Sequence, residues 1–171
     1  GTAALRAEAA ALAKRLRAER GPIAPDAAGR LLALAYPDRV AIRRPGREAR
    51  FLLSGGKGAR LDAADALAGA PALVAADVDG DPREARIRLA ASVSRAEIES
   101  LFAKRIKTVE TVAWDRRARA AVAKRERRLG ALALESAPLA DADPAALAAA
   151  MAEGVRALGL GALPCTPAAE R

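Results

Sequence analysis

EARIRLAASV, residues 84–93, alternates apolar and charged side chains, with Ile87 and Leu89 set against Arg86 and Arg88. A period of two is the mark of a strand with one face on a core and the other in water. SRAEIESLFA, residues 94–103, follows at once and changes the period. Ser94 and Glu97 stand at the spacing of a capping box, which starts a short helix. KTVETVAW, residues 107–114, then reads as a strand again. A chain that switches from strand to helix to strand within about thirty residues cannot be a helical bundle.

The neighbouring segments extend this pattern. RFLLS and ARL flank a glycine turn, and PALVAADV is an apolar run closed by DGDP. LGALALES, residues 129–136, reads as a strand, while RRARAAVAKRERRLG before it is ambiguous between helix and strand. The ends are helical. Residues 2–20 place Leu5, Leu12 and Leu16 at helical spacing until GPIAP breaks the run. Asp26 can cap a second helix through DAAGRLLALAYPDRVAIRR, which Pro37 ends or kinks near Tyr36. Asp143-Pro144 starts a third, which stops at the glycines of LGLGALP. The expected fold is α+β: a small antiparallel OB-like barrel of about five strands, with a helix between the third and fourth. N-terminal helices and a C-terminal helix flank it. A generic small β-barrel is the plainer alternative.

The apolar share is 52%, but much of it is alanine, and aromatics make up only 2%: Tyr36, Phe51, Phe102 and Trp114. Packing therefore falls to Leu, Val and Ile. The 29 basic residues exceed the 21 acidic ones, giving +8, which favours a polyanionic partner or reflects a GC-rich genome. There is no histidine and one cysteine, Cys165. Disulfides within the chain, Cys–His zinc sites and histidine-based mechanisms are thereby excluded, and a cytoplasmic setting is expected. No segment reads as a membrane span or a signal peptide. The sequence opens on Gly1 and its sole methionine is Met151, so a piece of a longer protein is expected.

FLLSGGKGARL, residues 51–61, invites comparison with a phosphate-binding loop. That loop needs a serine or threonine after its lysine to bind magnesium, but Gly58 follows Lys57. It also needs a glycine five places before Gly56, where Phe51 stands. Gly55, Gly56 and Gly58 are instead expected to supply the positive φ angles of a tight hairpin holding out Lys57, with Arg60 nearby. Asp77, Asp79 and Asp81 alternate as in a calcium loop, but the twelfth position counted from Asp77 is Arg88, not glutamate. A turn between strands is the better reading. Ser54 and Ser92 have no partner base but lysine, and no catalytic or metal-binding constellation emerges.

The basic residues fall in runs: Arg43, Arg44, Arg47 and Arg50; Lys104, Arg105 and Lys107; Arg116, Arg117 and Arg119; Lys124, Arg125, Arg127 and Arg128. On a barrel face they could gather a phosphate backbone. Alternatively they are solvated charges, some paired with Glu110 or Glu126. With so few aromatics for base stacking, binding would be backbone-driven and salt-sensitive.

Six blocks in order carry a family likeness: GRLLALAYPDRVA, RFLLSGGKGARL, LVAADVDGDPREARIRLAASVS, VAWD, RLGALALESAPL and GLGALP. Over about residues 26–164 they resemble the C-terminal half of the HrpB-type ATP-dependent helicases of the DEAH/RHA group. The resemblance implies that residues 1–45 are the end of a helical, ratchet-like helicase-associated region. Residues 46–139 would be the OB-like domain, and residues 140–171 the start of a helical C-terminal extension. It further implies an accessory module for single-stranded nucleic acid, RNA ahead of DNA, that catalyses nothing alone. ATP and magnesium would belong to the parent helicase, whose other domains would be partners. Lys57 is the residue most nearly carried over by the resemblance. Arg60, Arg50, Lys104, Arg105, Lys107, Arg116 and Arg117 are candidates on electrostatic grounds. The alternative role is a brace for the motor or a dock for a partner protein.

Overall fold

The computed structural model describes residues 2–18, 27–46, 48–81 and 84–159. The Asp26 cap, the GPIAP break, Arg47, Cys165 and residues 160–164 of LGLGALP lie outside the described residues. Helices α1 (Thr2–Arg15) and α2 (Ala28–Ala35) come first, and a single 3₁₀ turn at Pro37–Arg39 leads into the strands. Five strands follow: β1 (Val40–Arg43), β2 (Arg50–Leu53), β3 (Gly58–Arg60), β4 (Ala72–Val78) and β5 (Ala85–Ser92). Helix α3 (Arg95–Leu101) separates them from β6 (Lys107–Asp115), β7 (Ala120–Leu129) and β8 (Leu132–Pro138). Helix α4 (Pro144–Leu158) is the last described element.

The fold is α+β with a closed five-strand barrel, in the order β1-β2-β3-β5-β4. Its pairs are antiparallel except β3 with β5, which run parallel. Two expectations need correction. The helix does not lie between the third and fourth strands: residues 61–71 there are turns, and α3 comes after β5. Nor do all the strands join one barrel, because β6, β7 and β8 form a separate antiparallel sheet. The second helix stops where Pro37 was expected to stop it. Pro37 ends it at Tyr36 as its missing N–H requires, but VAIR beyond it is β1.

Alternation explains how the barrel fills. Ala41, Phe51, Leu53, Ala59, Leu73, Ala75, Ala85 and Ile87 are buried and pack as one interior cluster. The intervening residues Val40, Ala72 and Val74 face a second core. There they meet Ala33 of α2, Ile98 and Phe102 of the α3 region, and Leu129, Leu132 and Leu134 of the second sheet. One side of the barrel thus anchors everything else. Ser94 accepts the Glu97 amide at 3.2 Å while the Glu97 carboxylate accepts the Ser94 amide at 2.8 Å, the capping box that starts α3. Asp143 caps α4 by accepting the Ala145 and Ala146 amides. The described part of α4 lies on β6 and β7, with Gly154 against the indole ring of Trp114.

Candidate nucleic-acid interface

The glycine turn is a joint. Three of its backbone amides, of the kind that would face phosphate in a P-loop, have carbonyl partners instead. Ser54 N–H donates to Val40 O, Gly55 N–H to Asp38 O and Gly56 N–H to Leu53 O, at 2.7, 2.9 and 2.8 Å. The Ser54 hydroxyl donates to Pro37 O at 2.6 Å, and its carbonyl accepts from Ala131 N–H at 2.9 Å. The turn therefore ties the Tyr36–Arg39 segment to the β7–β8 turn. Arg39 completes the joint, with its guanidinium over the Tyr36 ring and one N–H bonded to Ala76 O at 2.8 Å. Of the three glycines, only Gly56 has positive φ, at 95°. Gly55 is needed for close approach, since a Cβ there would lie 3.2 Å from Asp38 O. Lys57 rides on this turn, half-buried.

The aspartate turn is structural too. Asp79 accepts the backbone N–H of Arg86 at 2.8 Å and of Asp81 at 3.3 Å. Those bonds, the Arg86 amide first, hold its carboxyl below the usual range, helped by the charges of Arg88 and Lys57. Asp115 does the same at the β6–β7 tip, accepting from Ala118 and Arg117.

The candidate cations separate into three groups. Arg50 and Arg60 stand directly opposite each other on β2 and β3, and Arg60 is in register with Arg86 on β5. Their neighbours Phe51, Ala59 and Ala85 point inward, so these arginines form an outward lateral row at a strand spacing of about 4.8 Å. Like charges so placed destabilise a sheet. Glu48 offsets this at 2.6 Å from Arg50, Glu84 at 3.6 Å, and Asp62 at 3.5 Å from Arg86. Lys104, Arg105 and Lys107 occupy the turn after α3 and the start of β6. Arg105 lies 5.5 Å from the Phe102 ring centre, and Lys107 pairs across the sheet with Arg128. Arg116 and Arg117 sit at the tip of the β6–β7 hairpin, roughly 30 Å from Lys107 at about 3.3 Å per residue. One site cannot include all three groups.

The basic run on β7 is laced with ion pairs. Arg125 meets Glu110 at 2.8 Å, and Arg127 meets Glu135 at 3.3 Å. Lys124 and Arg128 meet the buried Glu126 at 2.9 and 3.4 Å. The hydrogen bond from Lys124, ahead of the Lys124 and Arg128 charges, keeps the Glu126 carboxyl low.

The group at the barrel belongs to something larger. A pocket at the end of β1 is lined by Arg43, Arg44, Pro45 and Arg95, over Ile42, Pro71 and Ile98. Arg44 and Pro45 also line the next depression, which continues to Glu48 and Arg50. Glu48 and Arg50 in turn line a third, which reaches Arg60 and Asp62. The three share wall residues and follow one another as a groove past the end of β1, the start of β2 and the end of β3. Sequence reasoning grouped Arg43, Arg44 and Arg50 as neighbours in the chain but missed Arg86 and Arg95. Their signal was weak: Arg86 reads as the polar half of an alternating strand, and Arg95 as a residue in a helix's first turn.

The fold is thus a closed barrel joined to a three-stranded sheet and helices, with basic residues along one side of the barrel. Residues 105–139 match the family model described as ATP-dependent RNA helicase HrpB, connector region. Over 165 residues, 94% of its length, the chain is 36% identical to the ATP-dependent RNA helicase HrpB of Escherichia coli K12. It also superposes on the crystal structure of the E. coli DExH-box NTPase HrpB with a TM-score of 0.64 and 36% identity, covering 93% of this chain. A second crystal structure, of the E. coli DEAH/RHA helicase HrpB, gives 0.62 and 30% over the same share. The chain belongs to the HrpB family, and it spans about a fifth of the length of those relatives, 20% in each comparison.

Proposed function

We propose that the chain is a non-catalytic accessory module of an ATP-dependent helicase and grips single-stranded nucleic acid, RNA ahead of DNA, along the groove. The single observation behind this reading is the continuity of the groove from Arg95 through Arg43, Arg44 and Arg50 to Arg60. Cations at strand spacing suit a polymer whose charge repeats, and backbone contacts of this kind release counterions. The partners would be the strand and the remaining domains of the parent. ATP hydrolysis with magnesium would take place in those other domains, in the cytoplasm. In this reading the residues before β1 end a helical helicase-associated region. Residues 46–139 would be the OB-like part, together with β1 from Val40, which pairs within the same barrel. Residues 140–171 begin a helical extension.

Fluorescence anisotropy with a labelled single-stranded RNA across salt concentrations tests this. Arg50→Glu with Arg60→Glu is expected to weaken binding at least about tenfold and flatten the salt dependence. Arg116→Glu with Arg117→Glu, at the far hairpin tip, is expected to have a smaller effect. Absence of binding at low salt, or indifference to the Arg50 and Arg60 changes, would remove the reading.

A second reading is a brace or dock. It is favoured by the exposed apolar residues Leu31, Leu34 and Tyr36 around α2 and Leu12 and Leu16 at α1. Leu31→Glu with Leu34→Glu should then impair assembly with the motor domains and leave RNA binding by this chain unchanged.

A further inference from the structure

We propose that the pocket at the head of the groove takes one nucleotide unit of the bound strand, with its base on the apolar floor and its phosphate among the guanidinium groups. This rests on the strand-gripping role proposed above and gives it a base-contacting subsite.

The pocket measures about 390 Å³, within the range of about 300–1,000 Å³ typical of small-ligand sites. Its floor is Ile42, Pro71 and Ile98, and its walls carry Arg43, Arg44 and Arg95. Among the described residues no carboxylate lines it. Arg95 is steadied by Glu99 at 3.4 Å, one turn along α3. Arg43 is the telling residue. Its Nε is buried without a hydrogen-bond partner, and its Nη2 reaches Gly46 O only at 3.4 Å. A buried donor left unpaired is costly, and a ligand oxygen would relieve it. Among the described residues no aromatic ring lines the pocket, so a base would be held by apolar packing and by the flat faces of guanidinium groups.

An acidic peptide would also satisfy the arginines. Two observations favour a nucleotide. The pocket pairs an apolar floor of Ile42, Pro71 and Ile98 with three guanidinium groups, which matches the flat apolar base and charged phosphate of one nucleotide. The pocket also opens, through the shared Arg44 and Pro45, onto the groove that carries Arg50 and Arg60.

Gly69 gives a clean test. It lines the pocket, and a Cβ built there meets nothing within 4 Å. Gly69→Leu therefore adds an apolar side chain at the pocket wall with no backbone clash and no change of charge. Two labelled strands of equal length would be compared by anisotropy, one of oligoadenylate and one an abasic ribose-phosphate chain. The wild type is expected to bind the base-bearing strand roughly five- to tenfold more tightly, the low end for a base contact. Gly69→Leu should erase that preference while the abasic strand still binds. Arg50→Glu with Arg60→Glu should weaken both strands alike. Arg95→Ala gives an independent readout of the same preference should Gly69→Leu fail to fold. Equal binding of both strands by the wild type would overturn the subsite and leave the groove standing. Failure of both strands to bind at low salt would overturn the groove and the subsite together. A peptide of oligoglutamate that binds the wild type but not Gly69→Leu, with no difference between the strands, would assign the pocket to protein and overturn the proposal.

Discussion

Strands β1 and β4 of the barrel begin with residues buried on both faces, whereas β6 of the second sheet is exposed along most of its length. The two regions achieve order by different means. The barrel encloses a dry interior around Phe51, Leu53, Leu73 and Ile87, with alanines at the close approaches. Such a structure draws on apolar burial and leaves its outer face free for charge. The second sheet has a core only at its base, where Leu129, Leu132 and Leu134 enter the shared cluster. Further out it relies on strand pairing, cross-strand ion pairs and the cover of α4 over Trp114. Exposed ion pairs of this sort contribute little each. The groove accordingly lies on the more deeply cored region, and the long hairpin has the smaller share of buried apolar side chains.

The contrast can be broken most forcefully at Phe51. It is fully buried and is the largest side chain in the barrel interior. Phe51→Ala should cost about 3–5 kcal/mol in chemical denaturation and abolish nucleic-acid binding with the fold. Gly154→Ala tests the other region. A Cβ at Gly154 would lie 2.3 Å from the Trp114 ring, so α4 must shift outward. The expected cost is about 1–3 kcal/mol, with a red shift in the Trp114 emission and strand binding retained. A loss of binding equal to that of Phe51→Ala would mean the two regions fail as one unit.

The smallest effect sharpens the comparison through pH. The carboxyls of Asp79, Glu97, Asp115 and Glu126 all have folded pKa values below their ordinary ones, chiefly because they accept hydrogen bonds. Fewer protons bind to the folded state, so these groups stabilise it above the unfolded pKa, about 4. That contribution disappears as pH falls through the lowered values. Stability should therefore be level from about pH 5 to pH 8 on their account and decline below about pH 4.5. Glu126→Gln should cost about 1 kcal/mol at neutral pH, and its difference from the wild type should shrink on acidification. A difference that grows in acid would show that Glu126 is not held as an anion.

The local signals of this sequence were sufficient for its local structure. The Ser94–Glu97 box, the Asp143-Pro144 start, the stop at Pro37 and the alternation of Ile87 with Arg86 and Arg88 each specify backbone geometry within a few residues. Two strands escaped for different reasons. The pattern of β1 is lost because both its faces are buried, by the barrel interior and by the α2–α3 core, so Val-Ala-Ile does not alternate. The alanine and arginine of β7 carry no strong preference, and pairing with β6 and β8 settles them as a strand.

The site was legible in kind and not in place. The sequence alone determined a basic chain without histidine chemistry, an α+β order and a glycine turn that lacks the P-loop hydroxyl. Tertiary structure decided that Arg50, Arg60 and Arg86 share a row, that Arg43 and Arg95 line one pocket over Ile42, and that Arg116 lies a full strand's length from Lys107. Charge is a property of composition, but a groove is a property of register and closure. Those depend on contacts between residues distant in the chain, which no local pattern encodes.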